Sequence, residues 1–291
     1  MQVESRDIRH AWSAASTLVA LDGRLPRQIP ITVAAERLDL TATQVIGTDG
    51  RVRPVLRTRT RFEAGVGLPV AAGANLSAAL FGTESGIGAG AIVERHDLRG
   101  AWKATVEHGR PFWELVESVA ADGRRDRLGL QRDWRFDADS SGWVMLDLNR
   151  YRLSADAAAS TTALTVGFVR TIRHAAPALT LQYGVDKEHV RDAARAIASD
   201  GSLFSPIPLL SREVHLAGVV TRFPVRRLWD MEASAGYTVD RLGGRGSFMT
   251  ARATPMPTAR IGLDLWGERR LYSLSTAQQA LRAGARLTVR F

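Results

Sequence analysis

The chain ends in LRAGARLTVRF, residues 281–291, and this stretch decides the fold class. Apolar side chains occupy every second position up to Phe291, and the positions between them include Arg282, Arg286 and Arg290. A period of two indicates a β-strand, because successive side chains of a strand point to opposite faces of the sheet. The stretch therefore predicts a strand with one apolar face and one charged face.

The same alternation recurs along the chain in segments of about ten residues, the length of a tilted strand that crosses a bilayer. It is clear at 259–265, 231–239, 179–185, 144–148, 128–136 and 62–66. The apolar faces contain many small residues, whereas the polar faces carry both charge signs deep within the strands. A soluble sandwich would instead pack large side chains into its core. The pattern thus favours a lipid-facing exterior around a wet interior.

These segments predict an all-β transmembrane antiparallel barrel, with residues 1–291 forming one outer-membrane barrel domain. Single-chain bacterial barrels have an even number of strands, so we expect about sixteen, with one hidden between residues 1 and 50. The segments 111–122 and 187–199 are expected to be short amphipathic helices in loops. If both termini are periplasmic, these helices and the loop 272–280 lie on the outer side. Fifteen predicted strands begin near Asp7, Ile31, Leu56, Asn75, Ile87, Arg99, Arg125, Gly142, Ala163, Ala178, Ser211, Leu228, Gly246, Ala259 and Leu281.

Composition excludes several classes of protein. Of the 291 residues 45% are hydrophobic, and mean hydropathy is −0.10. No run approaches the ~18 apolar residues that a transmembrane helix needs. Cysteine is absent, which excludes disulfides and thiolate metal sites. The net charge of +9 comes from scattered arginines rather than a cluster, so nucleic acid is not an expected partner.

The start of the sequence, MQVESRDIRH, has no signal-peptide pattern. An exported barrel needs one, so we expect either a mature form or the C-terminal part of a longer chain.

No residue set predicts an enzyme, a cofactor or a metal site. The six histidines form no metal-spaced pair, and the glycine-rich segment 82–90 fits no nucleotide fingerprint. Ser211, Glu213 and His215 share one face of a strand, with successive side chains on that face about 7 Å apart along it. A lumen-facing polar cluster is therefore expected there rather than a catalytic triad.

The polar strand faces are expected to line the interior. A lattice of cross-strand ion pairs would explain most of their charges, and the remainder could form a hydrated conduit. Trp266 could stack on a sugar ring or belong to an interfacial aromatic belt. Residues predicted to form the conduit are Arg127, Asp133, Arg135, Asp147, Asp186, Glu213, Asp230, Glu232, Asp264, Trp266, Glu268, Arg286 and Arg290. Other inward charges are expected at Arg57, Arg59, Arg61, Glu63, Lys103, Glu107 and Arg270.

The segments RRDRLGLQRDWRF (124–136), LDLNRYRL (146–153), SPIPLLSREVHLAGVV (205–220) and RAGARLTVRF (282–291) resemble the C-terminal porin domain of the PelB family of exopolysaccharide exporters. The resemblance covers roughly residues 110–291, and the BcsC and PgaA exporter barrels are similar. It implies a sixteen-stranded barrel that passes a growing polysaccharide through the Gram-negative outer membrane. It also implies a periplasmic tetratricopeptide scaffold on the same full-length chain. A cationic polymer would call for an acidic conduit, and the basic net charge leaves the polymer open.

The expected partners follow from this reading: the exopolysaccharide chain, the lipid bilayer with its lipopolysaccharide, and the barrel-assembly machinery. Val289 and Phe291 resemble the terminal signal that this machinery recognises. The alternative function is a general or substrate-specific porin for small solutes. An outer-membrane lipase or protease and a soluble all-β binding protein are two further alternatives.

Overall fold

The computed structural model describes the backbone of residues 2–8, 12–25, 29–153, 157–198, 200–225, 229–242, 244–255, 261–274 and 276–289. Side chains are described for 13–21, 23, 29–153, 157–198, 200–224, 229–242, 244–254, 267 and 284–285. The strands are β1 Gln2–Ile8, β2 Trp12–Leu25, β3 Ile29–Ile46, β4 Val52–Ala71, β5 Ala74–Thr83, β6 Gly86–Asp97, β7 Gly100–Pro111, β8 Arg124–Arg135, β9 Ser140–Arg152, β10 Ala158–Arg173, β11 Ala178–Ala193, β12 Ala196–Ile197, β13 Leu203–Phe204, β14 Arg212–Val225, β15 Trp229–Asp240, β16 Arg245–Pro255, β17 Ile261–Leu274 and β18 Thr276–Val289, with one helix, α1 Val116–Ala121.

The sheet is a closed antiparallel barrel. Each wall strand pairs with its neighbours in the sequence, except that β11 pairs with β14 because β12 and β13 form a separate small hairpin. β1 pairs with both β2 and β18, which closes the ring. Within the described backbone the wall has sixteen strands, as predicted. The strand hidden between residues 1 and 50 is also present, because β1, β2 and β3 all lie there.

The two faces of the wall differ as a membrane protein requires. Large apolar side chains on the outward face are exposed, such as Leu56, Phe62, Leu80 and Leu128. In water such a surface would cost about 25 cal/mol per Å², whereas in a bilayer it contacts lipid. The cross-strand register carries one face continuously around the ring, so each position is assigned to the lumen or to the outside.

The two ends of the barrel are unequal. One end, here the terminal end, holds the start of β1, the end of β18 and short turns such as 72–73 and 98–99. The other end, here the loop end, holds the two long connections, loop 112–123 and loop 194–211. Both segments predicted to be helical excursions therefore lie at one end. Whether that end is extracellular stays a prediction.

Only one of the two predicted loop helices forms. α1 occupies part of 111–122, but 187–199 is not helical: β11 continues to Ala193, and a bend leads into β12. Residues 187–193 are hydrogen-bonded to β10 across a bulge, and these ladder bonds outweigh a local helical preference. In the described part of the chain, no helix has the length and apolar character needed to cross a membrane.

Candidate functional site: the lumen and its loop-end mouth

The lumen contains most of the predicted conduit residues whose side chains are described. On β8 and β9, Asp133, Arg135 and Asp147 share the inward face with Arg127. Asp186 faces inward from β11, because it pairs with Thr165 on the face that also carries Asp147. From β15 the inward residues are Asp230 and Glu232. Their role in transport stays a prediction.

Glu213 is a correction, because it faces outward. Its cross-strand partner is Lys187, and Val214 and Leu216 occupy the neighbouring inward positions. The Glu213 carboxylate lies 3.2 Å from Lys187 Nζ and 2.7 Å from the Arg241 guanidinium. The polarity rule fails there because the strand approaches the loop end, where charged groups can face water outside the bilayer.

The rest of the predicted set lies beyond the described side chains. The backbone register pairs position 264 with 286 and position 252 with 266, in the rows that continue the inward face. The side chains outside the described residues are those of Asp264, Trp266, Glu268, Arg270, Arg286 and Val289. Arg290 and Phe291 lie outside the described backbone as well.

The middle and loop half of the lumen hold a lattice of ion pairs. Glu107 is almost fully buried and contacts Arg110 and, at 3.2 Å, Arg125. Asp147 accepts two hydrogen bonds from Arg127, at 2.8 and 3.0 Å. Such pairing neutralises charges that would otherwise lie desolvated against the wall. Further pairs of this lattice are Glu36 with Arg61, Glu63 with Arg110, and Arg212 with both Asp186 and Glu188.

At the loop end, an apolar plug lies across the lumen. Loop 112–123 packs Trp113 and Val119 against Leu38 and Leu40 on the inward faces of β3 and against Ala14 of β2. Burying each large apolar side chain stabilises this contact by about 1.5–3 kcal/mol. One side of the plug is thereby fixed to the β2–β3 wall.

The other side of the plug reaches the opposite wall. Phe112 packs against Tyr151 of β9, with ring centroids 4.6 Å apart and ring planes tilted by 50°, and Ala159 of β10 and Ile207 join the same cluster. Ile207 belongs to loop 194–211, so both long loops contribute. Strands β9 and β10 lie about half the ring away from β2 and β3. The plug therefore spans the lumen from wall to wall.

Polar contacts fix α1 within the plug. Arg59 of β4 donates to the carbonyl oxygens of Val119 and Ala120 at 3.0 and 2.8 Å, which satisfies the C-terminal end of the helix. Asp122, just beyond α1, accepts a hydrogen bond of 2.8 Å from Thr83. Glu117 of α1 is half-buried, and this burial raises its pKa above the usual value of 4.5.

The β12–β13 hairpin covers the mouth above the plug. It leaves the wall between β11 and β14, and it contacts the β3–β4 turn on the far side of the ring. A Cβ atom added at Gly50 would lie 2.8 Å from both the Cβ of Ala198 and the ring of Phe204. In these connections, hydrogen bonds from Arg53 and Ser202 lower the pKa of Asp49 and Asp200, respectively.

The terminal half of the lumen has fewer paired charges, although Arg222 and Glu232 form an ion pair there, at 2.5 Å. Among the described side chains, Lys103, Asp133, Arg135 and Asp230 make no ion pair. Asp133 accepts only the Gln131 amide, at 2.9 and 3.2 Å. Charges without a partner keep their hydration and can exchange water for a polar solute. Charged side chains in this half are therefore open to the lumen.

The geometry of Ser211, Glu213 and His215 does not form a triad. His215 Nε2 lies 3.3 Å from Glu213, and its Nδ1 lies 2.8 Å from the Tyr183 hydroxyl, so both ring nitrogens have partners. The Ser211 hydroxyl accepts the Val190 N–H instead. Among the described residues there is also no group of metal-binding side chains.

Sequence reasoning missed the parts that close the mouth. Phe112 and Trp113 were assigned to a predicted loop helix, and the predicted helix 187–199 included β12 but not β13. Trp143 was also missed, although it has the same strand parity as Asp147 and could have been assigned to the lumen.

Comparison with solved structures gives outer-membrane barrels. A bacterial polysaccharide outer membrane secretin matches with a TM-score of 0.71 and 11% identity, over 100% of this chain and 97% of that one. OmpT of Vibrio cholerae matches with a TM-score of 0.49 and 9% identity, over 100% and 97% of the two chains. OmpF of Salmonella typhi, in complex with daunomycin, has a TM-score of 0.47 and 10% identity, over 98% and 96%.

No protein-family model and no curated protein matches the sequence. Because the sequence identities to the solved structures are low, these similarities show a shared fold alone. The chain is a transmembrane β-barrel of the bacterial outer membrane. This follows from the closed antiparallel wall, from its apolar outward face and from the similarity of its fold to the secretin.

Proposed function

We propose that this barrel is an export channel for an exopolysaccharide of the Pel type, and that it works as a passive conduit rather than an enzyme. The observation that carries the proposal is the combination of a charged, hydrated lumen with an apolar plug across its loop end. A polymer exporter needs a hydrated lumen wall that can form hydrogen bonds with the hydroxyl groups of the polysaccharide. It also needs a mouth that is closed when no polymer fills it.

The lumen chemistry suits a sugar polymer. Basic and acidic side chains occur in similar number on the described inward face, although the whole chain is basic. Mixed charges hold water, and polymer hydroxyls can replace that water by weak contacts as synthesis pushes the chain outward. The solved structure with the same fold is described as a bacterial polysaccharide outer membrane secretin, and this description supports a polysaccharide as the substrate here.

The partners follow from the same proposal. The bilayer and lipopolysaccharide would surround the apolar outward face, and the barrel-assembly machinery would insert the chain. A periplasmic tetratricopeptide scaffold, on the same full-length chain, would deliver polymer to the terminal end. Such delivery requires that the terminal end be periplasmic.

Gene deletion with complementation tests the proposal. We expect deletion to abolish polymer at the cell surface while synthesis continues, and the intact gene to restore it. Unchanged surface polysaccharide after deletion would refute export.

A general porin is the competing function, and the plug argues against it. We expect liposomes containing the intact protein to exclude small sugars. Rapid swelling in such sugars would favour the porin.

A further inference from the structure

We infer that the terminal half of the lumen contains a subsite for one pyranose unit, formed by Trp143, Asp133 and Gln131. The inference rests on the proposed export function for its substrate class. It goes further by assigning the residues and their separate roles.

Trp143 provides a flat apolar platform. It faces inward from β9, and its cross-strand partner on β10 is Gly167. A Cβ atom added to Gly167 would lie 2.0–2.4 Å from three atoms of the indole ring, so the ring lies directly over the glycine. Any side chain at that position would displace it. Trp143 is only partly buried, which leaves part of the indole accessible from the lumen.

Asp133 and Gln131 provide polar groups on β8, the strand on the other side of β9 from the indole ring. Asp133 is the cross-strand partner of Trp143 on β8. The Gln131 amide donates to both of its carboxylate oxygens, at 2.9 and 3.2 Å. This contact orients the amide and leaves its carbonyl oxygen as an acceptor. With no cation on Asp133 in the described structure, the carboxylate retains capacity to accept hydrogen bonds from a ligand.

The lumen wall next to the indole carries a glycine, which has no side chain, on the β11 side. Gly184 of β11 pairs with Gly167, so it lies one strand spacing, about 4.8 Å, further around the ring. A Cβ atom added there would meet only the Val166 carbonyl oxygen, at 3.6 Å. No side chain at position 184 therefore covers the β11 side of the indole.

A pyranose ring matches this arrangement. Its C–H face is apolar and packs on an aromatic face, while its hydroxyl rim donates to carboxylate and amide oxygens. The Asp133 carboxylate is accompanied by Lys103, the cross-strand partner of Gln131, and by Arg135 at the next inward position, so the local charges favour neither an anionic nor a cationic ligand. The site thus fits a neutral sugar unit.

Binding of cellopentaose and chitopentaose to the full-length chain in detergent tests the subsite, with dissociation constants taken from saturation-transfer NMR. We expect Trp143→Ala to weaken binding about fivefold to tenfold. Gly167→Val should weaken it similarly with the indole retained, and Trp143→Phe should keep most of the affinity. Asp133→Asn should have a smaller effect, about threefold. Heat-modifiable gel mobility confirms that each variant is folded.

Trp102→Ala is the matched control, because Trp102 lies on the outward face of β7. Equal affinities in Trp143→Ala, Gly167→Val and the unchanged chain would overturn the subsite, as would failure of both oligosaccharides to bind. Polymer secretion after gene deletion is read separately. If secretion persists but binding depends on Trp143, the export function fails and the subsite stands.

Discussion

The two halves of the lumen differ in how their charges and apolar groups are used. In the loop half, carboxylates such as Glu107 and Asp147 are bonded to arginines, and apolar side chains fill the space between opposite walls. In the terminal half, described residues such as Lys103 and Asp133 have no ion-pair partner, and Trp143 lies flat on the wall. The plug therefore crosses the loop half, whereas the terminal half leaves charged and aromatic side chains open to the lumen.

The difference shows that one wall supports two tasks with the same strands. Occlusion comes from two loops that fold inward, not from a narrower ring. Removing loop contacts should therefore change conductance without changing barrel stability, whereas changes in the terminal half should alter solute contacts and leave the closed state intact.

The strongest way to break this contrast is to remove the plug. Replacement of residues 113–121 by a Gly-Ser linker takes away Trp113, α1 and Val119, which bridge toward the β2–β3 wall. We expect single-channel conductance in planar bilayers to rise by on the order of tenfold, because a dry constriction becomes a wet pore. Unchanged conductance would show that the loop does not close the lumen.

The β12–β13 hairpin should restrict conductance less than the plug does. A Gly-Ser linker in place of residues 196–204 removes the contact with Gly50 but leaves Phe112 and Trp113 in position. We expect conductance to rise by about threefold and liposomes to remain resistant to large sugars. An increase equal to that from plug removal would mean that the hairpin alone forms the gate.

Arg59 tests how α1 is held. Arg59→Ala removes two hydrogen bonds from a charged donor, which weakens docking of α1 by about 2 kcal/mol. The apolar contacts remain, so we expect brief openings and about a twofold rise in mean current. Arg57→Ala is the matched control, since Arg57 faces inward two positions away and makes no ion pair in the described structure. Equal effects of the two changes would exclude a specific role for Arg59.

Glu117 should give the smallest effect, seen as pH dependence. Its pKa is raised by burial in the docked plug, so the protonated form favours docking and the stabilisation is lost as pH rises through that pKa. We expect open probability to increase as pH rises through this raised pKa, at a higher pH than the usual 4.5. Glu117→Gln should flatten this dependence and keep the low-pH behaviour. A profile that is identical in both proteins would contradict the assignment.

Sequence alternation was enough to predict the barrel, the number of strands and the facing of most conduit residues, because the period of two is set by the backbone. It failed near the loop end. There Leu38 and Leu40 face inward against the plug, while Arg37 and Asp39 are exposed outside. Polarity alone therefore assigns the wrong face, as it did for Glu213.

The plug could not be predicted from alternation, since it depends on contacts between elements far apart in the chain. Trp113 meets Leu40, and Phe112 meets Ile207, only after the ring has closed. Residues 187–193 show the same limit: their local pattern suits a helix, and pairing with β10 decides otherwise.

The most direct test locks the hairpin over the mouth. The chain has no cysteine, so a disulfide between Gly50→Cys and Ala198→Cys can be introduced cleanly. A side chain at Gly50 costs about 1–2 kcal/mol in the left-handed region. Its Cβ would also lie 2.8 Å from the Cβ of Ala198, closer than the ~3.5–4.5 Å of a disulfide, so the hairpin must shift slightly. The single Gly50→Cys control shares both effects. We expect polysaccharide secretion to stop in the oxidised double variant, to return on reduction, and to continue in both single variants. Secretion at the normal rate with the disulfide formed would contradict passage of the polymer through this mouth.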